Sequence, residues 1–335
     1  MLRLSICIAT HNRGGLIGET LASILPQLSD ATELLVVDGA STDDTQQVVL
    51  SCIAGRANCR YVCLPEKGGV DRDYARSVEL AGGEYCWLMT DDDLVVPGAV
   101  VRILAALESG PDLVAVNARV DNLDFSQTLV PRKLPLAADR IIGPASPDEL
   151  LSSAGDLLTF IGAVVIRRAL WLERDASRYF NSDFVHVGVI FQAPLSRHTQ
   201  LIADPLVRIR YGNASWSERT FEIWMFKWPA LVWSFDQISE SARRAVCARE
   251  PWRDVSRLAA LKARGHYTSR AYSRWLKDRP LSALARLACW ALAAFPDRLF
   301  HRLVRAWSRV RPLSPAALFE LQQSRFAIDT NGRFA

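Results

Sequence analysis

Short apolar runs, each ending in a polar cluster, recur along the first part of the chain. That rhythm restricts the fold more than any other feature. Leu4 to Ala9 runs into Thr10-His11-Asn12-Arg13, and Glu33 to Val37 ends at Asp38. Tyr61 to Leu64 ends near Glu66-Lys67, and Tyr85 to Met89 runs into Asp91-Asp92-Asp93. Helical patterns separate these runs. One helix reaches about Leu25, and a second is capped by Ser41-Thr42-Asp43-Asp44 and continues through Val48 and Val49. A third covers Asp73 to Leu80, and Pro97 opens a fourth at its first turn. Leu113 to Val116 is a fifth strand. Strands alternating with helices imply an α/β fold: a mostly parallel sheet with helices on both faces. The polar clusters then share the C-terminal edge of the sheet, where ligands of such folds bind.

The Asp91-Asp92-Asp93 cluster carries the most chemistry. Adjacent carboxylates repel one another unless a cation or hydrogen-bond donors compensate. Hard divalent cations take oxygen ligands and often bridge a carboxylate to a substrate diphosphate. A solvated acidic turn or a helix N-cap is the alternative, because Asp is common at both. Asp38 has a parallel ambiguity: it can accept hydrogen bonds from a ligand, or cap the Ser41-Thr42 turn.

Beyond the fifth strand the pattern weakens. Residues 120–158 read as an irregular, partly strand-forming insert; Phe160 to Ile166 returns to strand character, and Arg167 to Leu172 to helix. From about residue 217 helical periodicity dominates, with many Trp and Arg. Two parts are therefore expected, residues 1–216 and 217–335. Net charge over the 335 residues is only +4, yet eleven Arg and Lys lie between Arg264 and Arg311, against Asp278 and Asp297 alone. That end of the chain calls for an anionic partner. The seven cysteines form no zinc pattern and read as reduced thiols, mostly buried in strand-like runs. Leu4 to Ala9 is too short for a signal peptide, and Leu287 to Phe295 too short to span a bilayer.

Four pieces, in order, resemble the family 2 glycosyltransferases of GT-A (Rossmann-like) fold. They are Ile8 to Arg13, Val36 to Thr45, Ala81-Gly82-Gly83-Glu84-Tyr85 with Leu88 to Asp93, and Phe160 to Arg168. The likeness covers about residues 4–190. The string Tyr85 to Asp93, with Gly69 to Tyr74, is similar to a narrower branch, the bacterial O-antigen abequosyltransferases. His11 stands where the family usually has Tyr, Gly39 where it has Asp, and an Arg expected near Tyr74-Ala75 is absent, with Arg72 or Arg76 as substitutes.

The resemblance implies a nucleotide-sugar donor (CDP-, UDP- or dTDP-linked) and a divalent metal, Mn²⁺ or Mg²⁺. It implies donor binding by Thr10, Asn12, Arg13, Asp38, Ser41, Arg72, Asp91 and Asp92, with Asp93 on the metal. A general base must deprotonate the acceptor hydroxyl. Asp183, in Phe180-Asn181-Ser182-Asp183, is the first candidate. His186 is the second, placed one helical turn on and on the same side.

The implied reaction moves a sugar, abequose or another dideoxyhexose, onto a hydroxyl of a lipid-linked O-antigen or polysaccharide acceptor, with inversion. The implied site of action is cytoplasmic, peripheral on the inner face of the membrane. Trp216, Trp224, Trp228 and Trp233 are expected either to offer an aromatic surface for a sugar or to pack a core. Leu281 to Val310 reads as basic and amphipathic, suited to a membrane surface or to core packing. A nucleotidyltransferase and a non-catalytic glycan-binding relative are the rival readings. Nucleic-acid binding is not expected, since no recognised module accompanies the basic end.

Overall fold

The computed structural model describes residues 2–213 and 219–324. The chain divides into two compact units. The first is Met1–Arg210 with Ser234–Val246; the second is Tyr211–Trp233 with Cys247–Ala335. Trp216 lies outside the described residues.

In the first unit, β1 (Leu4–Thr10), β2 (Thr32–Asp38) and β3 (Cys59–Cys63) run parallel, and β4 (Tyr85–Met89) pairs in parallel with β1 on its other side. β1, β2 and β4 are apolar on both faces because both faces are covered. Leu4, Ile6 and Ile8 pack with Ile17, Leu21 and Ile24 of α1 (Gly14–Ile24) and with Val49 of α2 (Thr45–Ile53). α3 (Val70–Leu80) covers the opposite face of β1 and β2.

The remaining strands make the sheet mixed. β5 (Leu94–Val95), β6 (Leu113–Asp121), β7 (Thr128–Val130), β8 (Arg140–Ile142), β9 (Val164–Arg167) and β10 (Thr199–Arg210) complete it. The path is β3-β2-β1-β4-β9-β6-β10-β5, with β7 on β6 and β8 on β10. β9 is antiparallel to both its neighbours, while β10 is parallel to β6. The β10 register shifts between Ile202 and Val207, around Asp204-Pro205. Proline has no N–H to give the ladder, so it sits at such an irregularity.

The helices of this unit continue with α4 (Ala99–Leu107), α5 (Pro147–Leu158), α6 (Arg168–Leu172) and α7 (Val185–Phe191). α5 corrects the expectation of an irregular insert through residue 158. Its start carries Pro147 at the first turn and Asp148-Glu149 beside the positive end of the helix dipole. Phe160 to Ile166 is also not one strand, because residues Ile161–Ala163 form a 3₁₀ turn before β9.

The second unit is helical. α8 (Thr220–Glu222) runs through a π-helical stretch, Ile223–Lys227, into α9 (Trp228–Trp233). The chain then returns to the first unit for α10 (Glu240–Val246). α11 (Val255–Ala263), α12 (Ser269–Trp275), α13 (Ala283–Ala294), α14 (Asp297–Val310) and α15 (Pro315–Gln322) follow in the second unit. Its core gathers Phe221, Met225, Trp252, Leu258, Tyr267 and Leu276, with Phe221 stacked on Tyr267 at 5.2 Å. Trp224 packs against this core and Trp228 is buried, so both build packing. Lys262 is fully buried, its ammonium held by the Ala293 carbonyl at 2.9 Å and Asp297 at 2.5 Å. Among the described residues no helix is long and apolar enough to cross a membrane. All seven cysteines are free; four are buried and Cys63 is exposed.

A buried polar network fixes the start of β4 against β1. Ser5 donates to Glu33 at 2.6 Å, Gly82 N–H donates to Glu33 at 2.6 Å, and Gly83 N–H donates to Ser5 Oγ at 2.8 Å. A Cβ on Gly83 would stand 2.7 Å from the Ser5 backbone nitrogen, which cannot move aside without shifting the strand. Gly83→Ala is therefore expected to cost about 2 kcal/mol, read as a lower urea midpoint with an unchanged slope.

Candidate active site

Strand register alone brings three loops to one edge. Thr10 pairs with Asp38, and Ile8 pairs with Met89, so β1, β2 and β4 release their chains at nearly the same level. The first two loops are then stitched together. Asn12 N–H donates to Ser41 Oγ at 2.8 Å, and the Ser41 hydroxyl donates to Asp38 Oδ1 at 2.7 Å. Thr42 N–H donates to Asn12 Oδ1 at 2.8 Å, and Arg13 N–H to Thr45 Oγ1 at 2.8 Å.

Asn12 takes a left-handed backbone with φ 55°, which Asn tolerates better than most residues. Gly14 N–H donates to Asp43 at 3.1 Å. A Cβ on Gly14 would fall 1.8 Å from an Asp44 oxygen, so the close approach of the loops requires glycine. Burial works to raise the Asp43 carboxyl, yet hydrogen bonds from Thr45 and Gly14 hold it below its ordinary value.

Asp38 is fully buried. Its carboxylate accepts from Ser41 N–H at 2.8 Å, from the Ser41 hydroxyl, and from the Tyr61 hydroxyl at 2.6 Å. The turn-capping alternative is thus the arrangement present. Thr10 is buried beside it.

The third loop holds the acidic cluster. The Arg13 guanidinium lies 3.6 Å from Asp91 and 3.9 Å from Asp92, whose side chains are 13% and 14% exposed. Asp93 is buried; its Oδ2 accepts from Thr90 at 2.5 Å and its Oδ1 from Arg210 N–H at 2.7 Å. The Arg210 guanidinium also donates to the Asp92 carbonyl at 2.9 Å, to the Leu123 carbonyl at 2.8 Å and to Glu19 at 2.5 Å. Burial first, and the charge of Asp92 second, push Asp91 up to about 7, although Arg13 and Thr10 pull it back. The same two causes push Asp93 well above the carboxylate range. Among the described residues no three His, Cys, Asp or Glu side chains converge as a metal cage of their own.

A fourth segment arrives from α7. Asp183 precedes that helix with φ 66°, and Asn181 has φ 70°. Asn and Asp adopt this left-handed region more readily than other non-glycine residues, and the turn is further held by neighbours. Asp71, buried in the first turn of α3, holds it by accepting Asp183 N–H at 2.9 Å and Val185 N–H at 3.0 Å. The first turn of α3 borders the same sheet edge. Tyr74 donates to the Met89 carbonyl at 2.9 Å, and Gly68 N–H donates to Asp73 at 3.2 Å. Arg72 stacks over the Phe180 ring at 4.7 Å.

His186 differs from its expected placement. α7 begins at Val185, so Asp183 and His186 do not share a helical face. His186 is buried, its Nε2 sits 2.8 Å from the Leu158 carbonyl, and burial lowers its pKa to about 4. Arg76 pairs with Glu79 at 2.8 Å on the surface, and Glu66 and Lys67 are exposed.

Sequence reasoning missed Arg210 and Asp71. Arg210 ends a twelve-residue strand whose alternation Asp204-Pro205 breaks, so nothing local pointed to it. Asp71 had a readable signal, an acid in a first helical turn, but its partner lies 112 residues away.

The raised Asp91 carboxyl has a pH consequence. Below the ordinary carboxylate pKa of about 4 both folded and unfolded chains keep the proton, and Asp91 costs nothing. Between there and about 7 only the folded chain keeps it, so stability falls as pH rises, and the full cost stands above about 7. Asp91→Asn should raise Tm at pH 8 by on the order of 5 °C and leave it nearly unchanged at low pH; scanning calorimetry across pH checks this.

Residues 5–162 match the family described as Glycosyl transferase family 2. The abequosyltransferase RfbV of Salmonella typhimurium is 26% identical over 234 residues, 64% of this chain and 69% of that protein. The GalNAc(5)-diNAcBac-PP-undecaprenol beta-1,3-glucosyltransferase of Campylobacter jejuni is 28% identical over 111 residues, 33% of this chain and 36% of that one. Among solved structures, S. aureus TarS 1–349 in complex with UDP matches with a TM-score of 0.56 at 16% identity, covering 91% of this chain and 92% of that one. Its complex with UDP-GlcNAc matches with the same TM-score, 0.56. That likeness speaks to the fold. Residues 5–162 thus carry the match to glycosyl transferase family 2, and the chain is a glycosyltransferase of GT-A fold.

Proposed function

We propose that this enzyme transfers a sugar from a nucleotide-diphosphate donor to a hydroxyl of a lipid-linked oligosaccharide, with inversion, on the inner face of the cytoplasmic membrane. One observation carries the reading: a crowded carboxylate trio at the end of β4, Asp93 buried and Asp91 and Asp92 partly exposed, held against Arg13 and Arg210. Charges so crowded and desolvated favour a counter-cation. The donor set is all oxygen, as Mg²⁺ and Mn²⁺ require, and such ions usually combine one or two carboxylates with substrate phosphates.

Asp93 is the proposed ligand, with Asp91 and Asp92 beside it. A bound divalent ion would supply charge stabilisation to the departing diphosphate. Thr10, Asn12, Arg13 and Ser41 are proposed to line the nucleoside side. Asp38 fixes Ser41 and Tyr61 there, and Arg72, stacked on Phe180, faces the phosphates. Likeness to the abequosyltransferase supports abequose or another dideoxyhexose as the sugar, with a CDP-, UDP- or dTDP-linked donor. The undecaprenol-linked substrate in the name of the Campylobacter relative supports the lipid-linked acceptor.

Asp183 is the proposed base. It takes the acceptor proton as the hydroxyl oxygen attacks the anomeric carbon and the bond to the diphosphate oxygen breaks. Asp183 stands on a left-handed, partly exposed turn that Asp71 holds, whereas His186 lies in the core. Asp183→Asn should bind nucleoside diphosphate as the wild type does and lose transfer by about 10²–10⁴-fold. Transfer of labelled sugar, with the anomeric outcome read by NMR, measures both. Full transfer by Asp183→Asn together with loss in His186→Ala would reverse the assignment.

A further inference from the structure

α13 and α14 leave large apolar side chains in water. Leu284, Leu287 and Trp290 on α13, and Leu299, Leu303, Trp307 and Val310 on α14, are all exposed, Leu284 and Val310 at 78% and 85%. Within each helix they recur three or four residues apart, so each set occupies one face. The buried sides are different: Cys289 and Ala293 on α13, and His301 on α14. Both helices pack on α11, so the two exposed faces belong to one unit. Exposed apolar sets of this size mark a contact surface.

Charge narrows the choice of contact. Arg302, Arg305 and Arg309 recur along α14, next to its apolar stripe. The one acid of that helix, Asp297, is engaged by buried Lys262. An apolar stripe with an arginine flank is the pattern of a helix lying in the plane of a membrane interface.

A cavity of about 410 Å³ adds an independent observation. It is lined by Ser269, Tyr272, Ser273, Lys277, Arg286, Trp290 and Ala293, and among the described residues no carboxylate lines it. The Arg286 guanidinium is held by the carbonyls of Lys277 at 2.6 Å and Arg279 at 3.3 Å, which fixes its charge at the cavity wall. Two cations and the hydroxyls of Tyr272 and Ser273 make a set of donors suited to a phosphate, while the Ser269 hydroxyl donates to the Ala293 carbonyl at 3.1 Å. Trp290 belongs both to the cavity and to the apolar face of α13.

We propose that the cavity holds the phosphate of an anionic phospholipid headgroup, one whose charge is not offset by a choline ammonium, while the apolar faces of α13 and α14 sit among its acyl chains. The second unit is thus an in-plane anchor for an anionic bilayer. This deepens the reading of a membrane-bound acceptor but does not involve the donor site, so the two fail separately.

Flotation of the full chain with phosphatidylcholine vesicles, alone or mixed with phosphatidylglycerol, tests it. The wild type should float with mixed vesicles and bind less as salt rises. Lys277→Ala should weaken binding to mixed vesicles about five-fold and leave phosphatidylcholine binding unchanged. The double variant Leu303→Ser, Trp307→Ser should weaken both by about ten-fold or more. Thermal stabilisation by nucleoside diphosphate should be the same in all three, which also certifies their folding.

Absence of wild-type flotation on mixed vesicles overturns the proposal. So does stabilisation by inorganic phosphate without vesicle binding, which would make the cavity a free-phosphate site. A dimer in light scattering that the α14 double variant dissolves, with no flotation, would assign the face to a second copy of the chain.

Discussion

The repulsion among Asp91, Asp92 and Asp93 is the constraint around which the proposed active-site edge is arranged. Three adjacent carboxylates would push the loop after β4 apart if left in water. Here they are instead drawn inward, where each charge costs more. Arg13 approaches from the loop after β1, and Arg210 approaches from the end of β10, donating its backbone N–H to Asp93 and its guanidinium to the Asp92 carbonyl. Neither cation neutralises the trio, since burial and mutual charge still lift Asp91 and Asp93. The loop therefore stores an electrostatic cost that a bound cation would relieve. In that sense the site would trade stability of the free protein for affinity toward the proposed cation and diphosphate.

The hydrogen bonds around the trio follow from the same need for rigidity. Asn12, Ser41, Asp38 and Tyr61 form one chain of donors and acceptors across β1, β2 and β3. Asp71 extends the fixed edge to the Asp183 turn, holding two backbone N–H groups of a segment far away in sequence. Asp71 is thus a positioning residue. It ties the first turn of α3, which also borders the proposed donor loops through Asp73 and Tyr74, to the turn that carries the proposed base Asp183.

Much of this was legible from residue patterns, for physical reasons that also explain the failures. β1, β2 and β4 are buried on both faces, so their apolar runs stand out, and the polar clusters behind them mark the edge directly. α5 is hard to see in the sequence because Pro147 and Asp148, which open it, are equally common in loops. β10 was missed because Asp204-Pro205 interrupts its alternation. Asp38 was legible as a site residue, yet its carboxylate serves Ser41 and Tyr61, which no local pattern ranks above a ligand. His186 shows the limit of helical spacing: the count from Asp183 assumed a helix that begins two residues later. Arg210 and Asp71 act across long sequence separations, and only the folded register brings them to the site.

The central claim is that the carboxylate trio binds a divalent cation together with a nucleoside diphosphate. Calorimetric titration of Mn²⁺, with and without nucleoside diphosphate, tests it most directly. The account predicts Mn²⁺ binding at least about ten-fold tighter with the nucleotide present, and loss of that gain in Asp93→Ala. Equal Mn²⁺ affinity with and without nucleotide, or a gain that survives in Asp93→Ala, would contradict it.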